Sequence, residues 1–173
     1  MQFPDISIRK ADASDGDTLL ALVDALADYE QLARPDADAR ARLLRDAFGP
    51  APRIEAYLVF DGGTAAGYAI ILETYSSFLA LPTLYLEDIF VLPAHRGRRA
   101  GLALFLAMST LARTRGCGRM EWTVLDWNRL ALDFYARLGA RHMQEWQLHR
   151  LTRTELDALP AVHIPTHDSH PRT

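Results

Sequence analysis

Glu87 and Asp88 are adjacent carboxylates in an otherwise apolar run, Tyr85 to Leu92. Directly after that run the chain passes through Arg96-Gly97-Arg98-Arg99-Ala100-Gly101 into an uncharged stretch, Leu102 to Ala112. A carboxylate can accept a proton, and the unpaired N–H groups at a helix start can hold a pyrophosphate. Paired acids beside such an anion site suit the movement of a group from a coenzyme A thioester onto an amine. Each signal also has a plainer reading. An Arg/Gly turn is more often a solvated loop, and a buried carboxylate is often paired with an arginine. Here the context favours binding, because the helix opened by the turn is apolar nearly all round and is therefore buried and fixed.

The run from Tyr85 to Leu92 has the length and composition of a strand, ended by Pro93. Successive side chains of a strand point to opposite faces, so Glu87 or Asp88 must meet the interior unless the strand bulges there. Upstream, residues 6–10 alternate as a short strand, with Asp12 and Ser14 as helix caps after it. Leu19, Leu22, Val23, Leu26 and Tyr29 give one buried face to a helix over residues 17–32, which Pro35 ends. A second helix spans 36–48, closed by Gly49 and Pro50. Runs at 56–60 and 65–75, separated by Asp61-Gly62-Gly63, form a hairpin. A loop at 76–82 leads into the strand at 83–92, and the helix at 102–112 follows.

Downstream, residues 120–127 are expected to form a strand and Asn128 to cap a helix that ends at Gly139. Ala131, Phe134, Tyr135 and Leu138 share one face of that helix. Taken alone, Tyr135 there is core packing and Asn128 a cap. A strand over 141–151 and a short helix over 154–159 complete a single domain, 1–159. The order predicts an α/β (α+β) mixed sheet with helices on both faces. The tail, 160–173, has the composition of a disordered segment, and its His163, His167 and His170 lack a ligand framework for a metal.

Bulk properties narrow the classes of function. A chain of 173 residues, 49% hydrophobic and 24% charged, fits one ordinary globular domain. The formal net charge of −3 lacks the basic excess of a nucleic-acid binder. The N-terminus shows no apolar leader, and no apolar run approaches the roughly 20 residues needed to span a bilayer. Cys117, the one cysteine, fits a reducing compartment and reads as a small apolar residue. A soluble, cytoplasmic protein without nucleic-acid or membrane partners is expected.

The strand, turn and helix resemble the acyl-CoA motif of the Gcn5-related N-acetyltransferase (GNAT) superfamily, and within it the diamine (spermidine/spermine) and thialysine N-acetyltransferase branch. The matching pieces are IRKA at 8–11, LADYE at 26–30, YLEDIFVLPAHRG at 85–97, VLDWN at 124–128 and DFYARLGA at 133–140. The resemblance implies a mostly antiparallel central sheet of about six strands and acetyl-CoA as co-substrate. Phe90, Val91 and Leu92 would pair with the pantetheine arm. Arg96, Gly97, Arg98, Arg99, Ala100 and Gly101 would hold the pyrophosphate, with Asn128 and Tyr135 also on the cofactor. Glu87 would take a proton from the substrate ammonium through water, and Tyr135 would return one to the departing thiolate. Tyr29, Glu30, Glu87 and Asp88 would hold a small primary amine of diamine, thialysine or lysine-like type. Relatives of this branch imply a homodimer, for which the C-terminal strand with Trp146 offers a contact.

Two departures stand out. The family turn reads Arg-x-x-Gly-x-Gly, and Arg99 replaces its middle glycine. If that position needs a positive φ, Arg99 costs about 1 kcal/mol; alternatively its side chain adds a phosphate contact. Polyamine-acetylating relatives also carry an acid and a tryptophan in the loop where this chain has Ser76, Ser77 and Phe78, which argues for a shorter amine. The competing reading is a non-catalytic acyl-CoA-binding or sensing module.

Overall fold

The computed structural model describes residues 3–162 and 164. His163, His167 and His170 lie outside the described residues, as does most of the tail. By contacts the chain divides into two compact units, Met1–Leu125 and Asp126–Thr173.

The first unit is built on a sheet of five strands in the order β1-β2-β3-β4-β5. β1 (Ile6–Lys10), β2 (Glu55–Asp61), β3 (Thr64–Ser76) and β4 (Leu81–Val91) form an antiparallel meander. β5 (Arg119–Glu121) joins β4 in parallel over three residue pairs. The expected hairpin forms where Asp61-Gly62-Gly63 predicts it. Gly62 and Gly63 have φ of 57° and 83°, the positive pair that a tight turn matched to strand twist requires.

Helices cover both faces of this sheet. α1 (Gly16–Tyr29) and α2 (Ala37–Phe48) bring Leu19, Leu22, Leu43 and Phe48 onto a core with Leu58, Tyr68, Ile70 and Phe90. The start of α1 is fixed by charge. Arg9 holds the Asp15 carboxylate at 2.6 and 2.7 Å, and that carboxylate accepts from the Asp12 N–H at 2.9 Å. Asp36 caps α2 by accepting from the Ala39 N–H at 2.7 Å. α1 stops three residues before its expected end, because Gln31 takes φ 58° and turns the backbone out of the helix. On the other face lies α3 (Ala100–Thr114), with Leu104 and Met108 fully buried.

The second unit contains α4 (Arg129–Arg137) and α5 (Arg153–Ala158). Two strand expectations fail. Residues 120–127 contribute only the end of β5, and residues 122–127 are irregular. Residues 141–151 form no strand, and all of their side chains are exposed. A strand exists only as half of a ladder, and the second unit provides no strand among the described residues to pair with. The sheet therefore has five strands among the described residues, against about six expected, while its mixed and mostly antiparallel character is as expected.

Candidate functional site

β4 carries the two carboxylates, and its register separates them. Asp88 pairs with Ile70 but Leu86 pairs with Ile71, leaving Glu87 as an extra, bulged residue. Before the bulge, Leu84 and Leu86 point toward α3. After it, Asp88 and Phe90 fall on the α1 face beside Ile70 and Tyr68. Glu87 is exposed and Asp88 is half-buried.

No arginine, lysine or histidine pairs with Asp88 among the described residues. Among the described residues its hydrogen-bond partner is the hydroxyl of the fully buried Tyr68, which donates to Oδ2 at 3.2 Å. Burial pushes the Asp88 carboxyl up to about 6; the Tyr68 bond pulls it down, and the nearby charges of Glu87 and Glu30 raise it. Burial also raises Glu30, at the C-terminal end of α1. Beside them, the Tyr29 and Phe90 rings lie 6.0 Å apart, and the Arg96 guanidinium stands 4.5 Å over Tyr29 and 5.7 Å from Phe90.

The turn after β4 is preformed. Arg96 Nε donates to the Val91 carbonyl at 3.1 Å, so its side chain is folded back over the strand end and the aromatics. Asp61, at the β2–β3 hairpin, binds His95 Nδ1 at 2.8 Å and accepts from Arg98 Nη1 at 3.2 Å. Gly97 and Arg99 have φ of 77° and 71°. Arg99 is thus the left-handed residue from which α3 starts, and no side chain caps that start. The first turn of α3 also contains no acidic residue, so its N–H groups and dipole remain open to an anion.

The backbone leading to this turn is open as well. β5 covers only Thr83, Leu84 and Tyr85, so from Leu86 to Val91 the side of β4 away from β3 has no ladder partner among the described residues. Such an edge can pair with an amide-bearing chain. Opposite it, Gly67 admits no side chain: a Cβ there would lie 2.2 Å from the Phe90 carbonyl oxygen. An open strand edge running into an uncapped, cationic helix start fits both the amide arm and the pyrophosphate of acetyl-CoA.

Asn128 and Tyr135 belong to the second unit. Asn128 Oδ1 accepts from the Ala131 N–H at 3.2 Å and caps α4, as its sequence position predicts. Tyr135 lies on α4, its ring edge-on to Phe134 at 5.4 Å, and burial pushes its phenol up to about 12. It therefore keeps its proton throughout the neutral range.

Of the expected residues, Tyr29, Glu30, Asp88, Phe90 and Arg96 gather on the α1 face, with Glu87 on the bulge beside them. Sequence reasoning missed Tyr68, Asp61 and His95. A tyrosine within the apolar run 65–75 was the available signal for Tyr68, since a buried hydroxyl needs a partner. Nothing local to Asp61 marks it out, because its role depends on the hairpin reaching the turn.

Comparison with known proteins gives a consistent answer. The model of the Acetyltransferase (GNAT) family matches residues 19–140. Thialysine N-epsilon-acetyltransferase of Bos taurus is 30% identical over 162 residues, covering 89% of this chain and 95% of that protein. L-ornithine N5-acetyltransferase NATA1 of Arabidopsis thaliana is 40% identical over 99 residues, covering 57% of this chain. The match spans 43% of that relative's length. The solved structure of AAC(6')-Iy, in complex with a CoA-S-monomethyl-acetylneamine bisubstrate analog, superposes with a TM-score of 0.68 at 20% identity, covering 85% of this chain and 98% of that one.

Proposed function

The chain belongs to the GNAT acetyltransferase family, and on that footing we propose that it transfers the acetyl group of acetyl-CoA to a primary amine of a small molecule. The observation that carries this reading is the bulge of β4, which sets Glu87 and Asp88 immediately upstream of an uncapped, cationic helix start. The acceptor class is a diamine or a thialysine- or lysine-like amine, and attack is direct, within a ternary complex. Two features support a short acceptor. Ser76, Ser77 and Phe78 provide no carboxylate for a long polycation, and the two relatives are named for acetylation of thialysine N-epsilon and ornithine N5.

Acetyl-CoA supplies the activated acetyl thioester. The N–H groups from Arg99 to Gly101 take the pyrophosphate, and the cationic turn adds attraction. Gly97, Arg98 and Ala100 shape that turn, and Arg96 braces it from the strand end. Phe90, Val91 and Leu92 offer backbone to the amide arm, and Asn128 adds a contact from the start of α4. An alkylammonium of pKa about 10.4 cannot attack until it loses a proton. Glu87, solvent-exposed on the bulge, accepts that proton through water, while Tyr29, Glu30 and Asp88 hold the acceptor's cationic part. A backbone N–H of β4 polarises the thioester carbonyl. Tyr135 protonates the departing thiolate. The protein works as a homodimer in a reducing cytoplasm, consistent with its free Cys117.

The test is incubation with acetyl-CoA and a panel of diamines, lysine analogues and amino acids, read by release of free thiol. Turnover is expected with short acceptors carrying a primary side-chain amine. Acetyl-CoA binding by calorimetry with no thiol release from any acceptor would instead identify a non-catalytic acyl-CoA module.

A further inference from the structure

Asp88 is short of a cation. A half-buried carboxylate is ordinarily matched by an arginine or lysine, yet every charged group set against this one by α1 or β4 is acidic. Glu30 ends α1, Glu87 is its neighbour on β4, and both raise it. From β3 it receives only the Tyr68 hydroxyl. On the turn, the Arg96 guanidinium stacks on Tyr29 and Phe90 and the side chain bonds to the Val91 carbonyl, making no ion pair with Asp88. Asp88 Oδ1 has no hydrogen-bond partner among the described residues. Thr83 Oγ1 is the one side-chain oxygen there that is both sealed from solvent and unpartnered, so Oδ1 is reachable from outside.

Tyr68 itself is 0% exposed at the centre of the sheet, pairing with Leu58 on β2 and Phe90 on β4. Its ring packs edge-on against Phe90 at 6.5 Å. A phenylalanine would fill the same space, so the hydroxyl is there for Asp88.

We propose that Tyr68 is the positioning residue of the acceptor site: its hydroxyl engages Oδ2 of Asp88 and leaves Oδ1 for the ammonium group of the acceptor. This rests on the reading that the α1 face binds an amine. The acceptor cation then completes the charge balance that the fold leaves open. The pH consequence has a definite sign. Only the ionised carboxylate holds an ammonium group, so acceptor binding is lost as pH falls through about 6. The Tyr68 bond is the one influence that lowers the Asp88 carboxyl, so removing it moves the acid limb to higher pH.

The experiment compares the parent protein with Tyr68→Phe, Asp88→Asn and the double variant, using L-ornithine, L-lysine and putrescine. In Tyr68→Phe, the acceptor KM should rise about tenfold, as for loss of one hydrogen bond to a charged group. The KM for acetyl-CoA should move little, and the acid limb of kcat/KM for the acceptor should shift upward in pH. The double variant should lose no more acceptor binding than Asp88→Asn alone. An unchanged acceptor KM and acid limb in an active Tyr68→Phe, or fully additive losses, would overturn the role of Tyr68 while leaving the acetyltransferase reading intact. If the parent releases no thiol, that reading fails, and calorimetric binding of the same amines still decides the matter: weaker binding to Tyr68→Phe supports the proposal. Equal binding to the two proteins, or none to either, overturns it.

Discussion

Arg99, at the start of α3, stands where the family turn carries glycine, and one dihedral angle sets the strain it introduces. At φ 71° the residue sits in the left-handed region, where a side chain costs roughly 1 kcal/mol relative to glycine. Arg99→Gly should therefore raise the thermal midpoint by a few degrees, read by calorimetry without ligand; a lower midpoint would mean that the arginine side chain stabilises the turn by more than the strain it introduces. The paired acids were legible to a different depth. Alternation along a strand forces one inward unless a bulge intervenes, and the structure does both: Glu87 bulges outward and Asp88 turns inward. Which of them turns inward depends on cross-strand register at Ile70 and Ile71, which no local pattern encodes. Tyr68 was hidden for the same reason, its partner lying twenty residues away.

The elements separate into those with their own local signals and those that depend on a neighbour. α2 has an Asp cap, the β2–β3 hairpin has Asp-Gly-Gly, and α3 has a continuous apolar surface, so their positions follow from composition and spacing. The stretch 141–151 has no such signal, since its apolar residues Met143, Trp146, Leu148 and Leu151 do not alternate, and without a partner strand among the described residues it stays irregular. The β3–β4 contact carries a further constraint. Gly67 lies where a Cβ would meet the Phe90 carbonyl oxygen at 2.2 Å and the Val91 Cα at 2.9 Å, both backbone atoms. Backbone cannot swing aside as a side chain can. Gly67→Ala should thus push β4 away from β3, lower stability by more than about 1 kcal/mol in denaturant unfolding, and raise the KM for acetyl-CoA, because Phe90 to Leu92 form the expected pantetheine edge. A fully stable variant with an unchanged KM would show that β4 needs no such close approach.

Across the whole chain, the architecture was legible because its parts agree. A short strand, two amphipathic helices, a three-strand meander and a buried helix predict a mixed sheet covered on both faces, and the first unit has that form. The proposed direct attack in a ternary complex would leave no acetyl group on the protein at any stage, and every acetyl group lost from the thioester would appear on the acceptor. The most direct measurement follows an isotopically labelled acetyl group from acetyl-CoA by mass spectrometry, with L-lysine, L-ornithine or a short diamine as acceptor. The account requires the label on a primary amine nitrogen, one labelled amide per free thiol, and an unlabelled protein. Label recovered as free acetate, or held covalently on the protein while the acceptor stays unmodified, would contradict it.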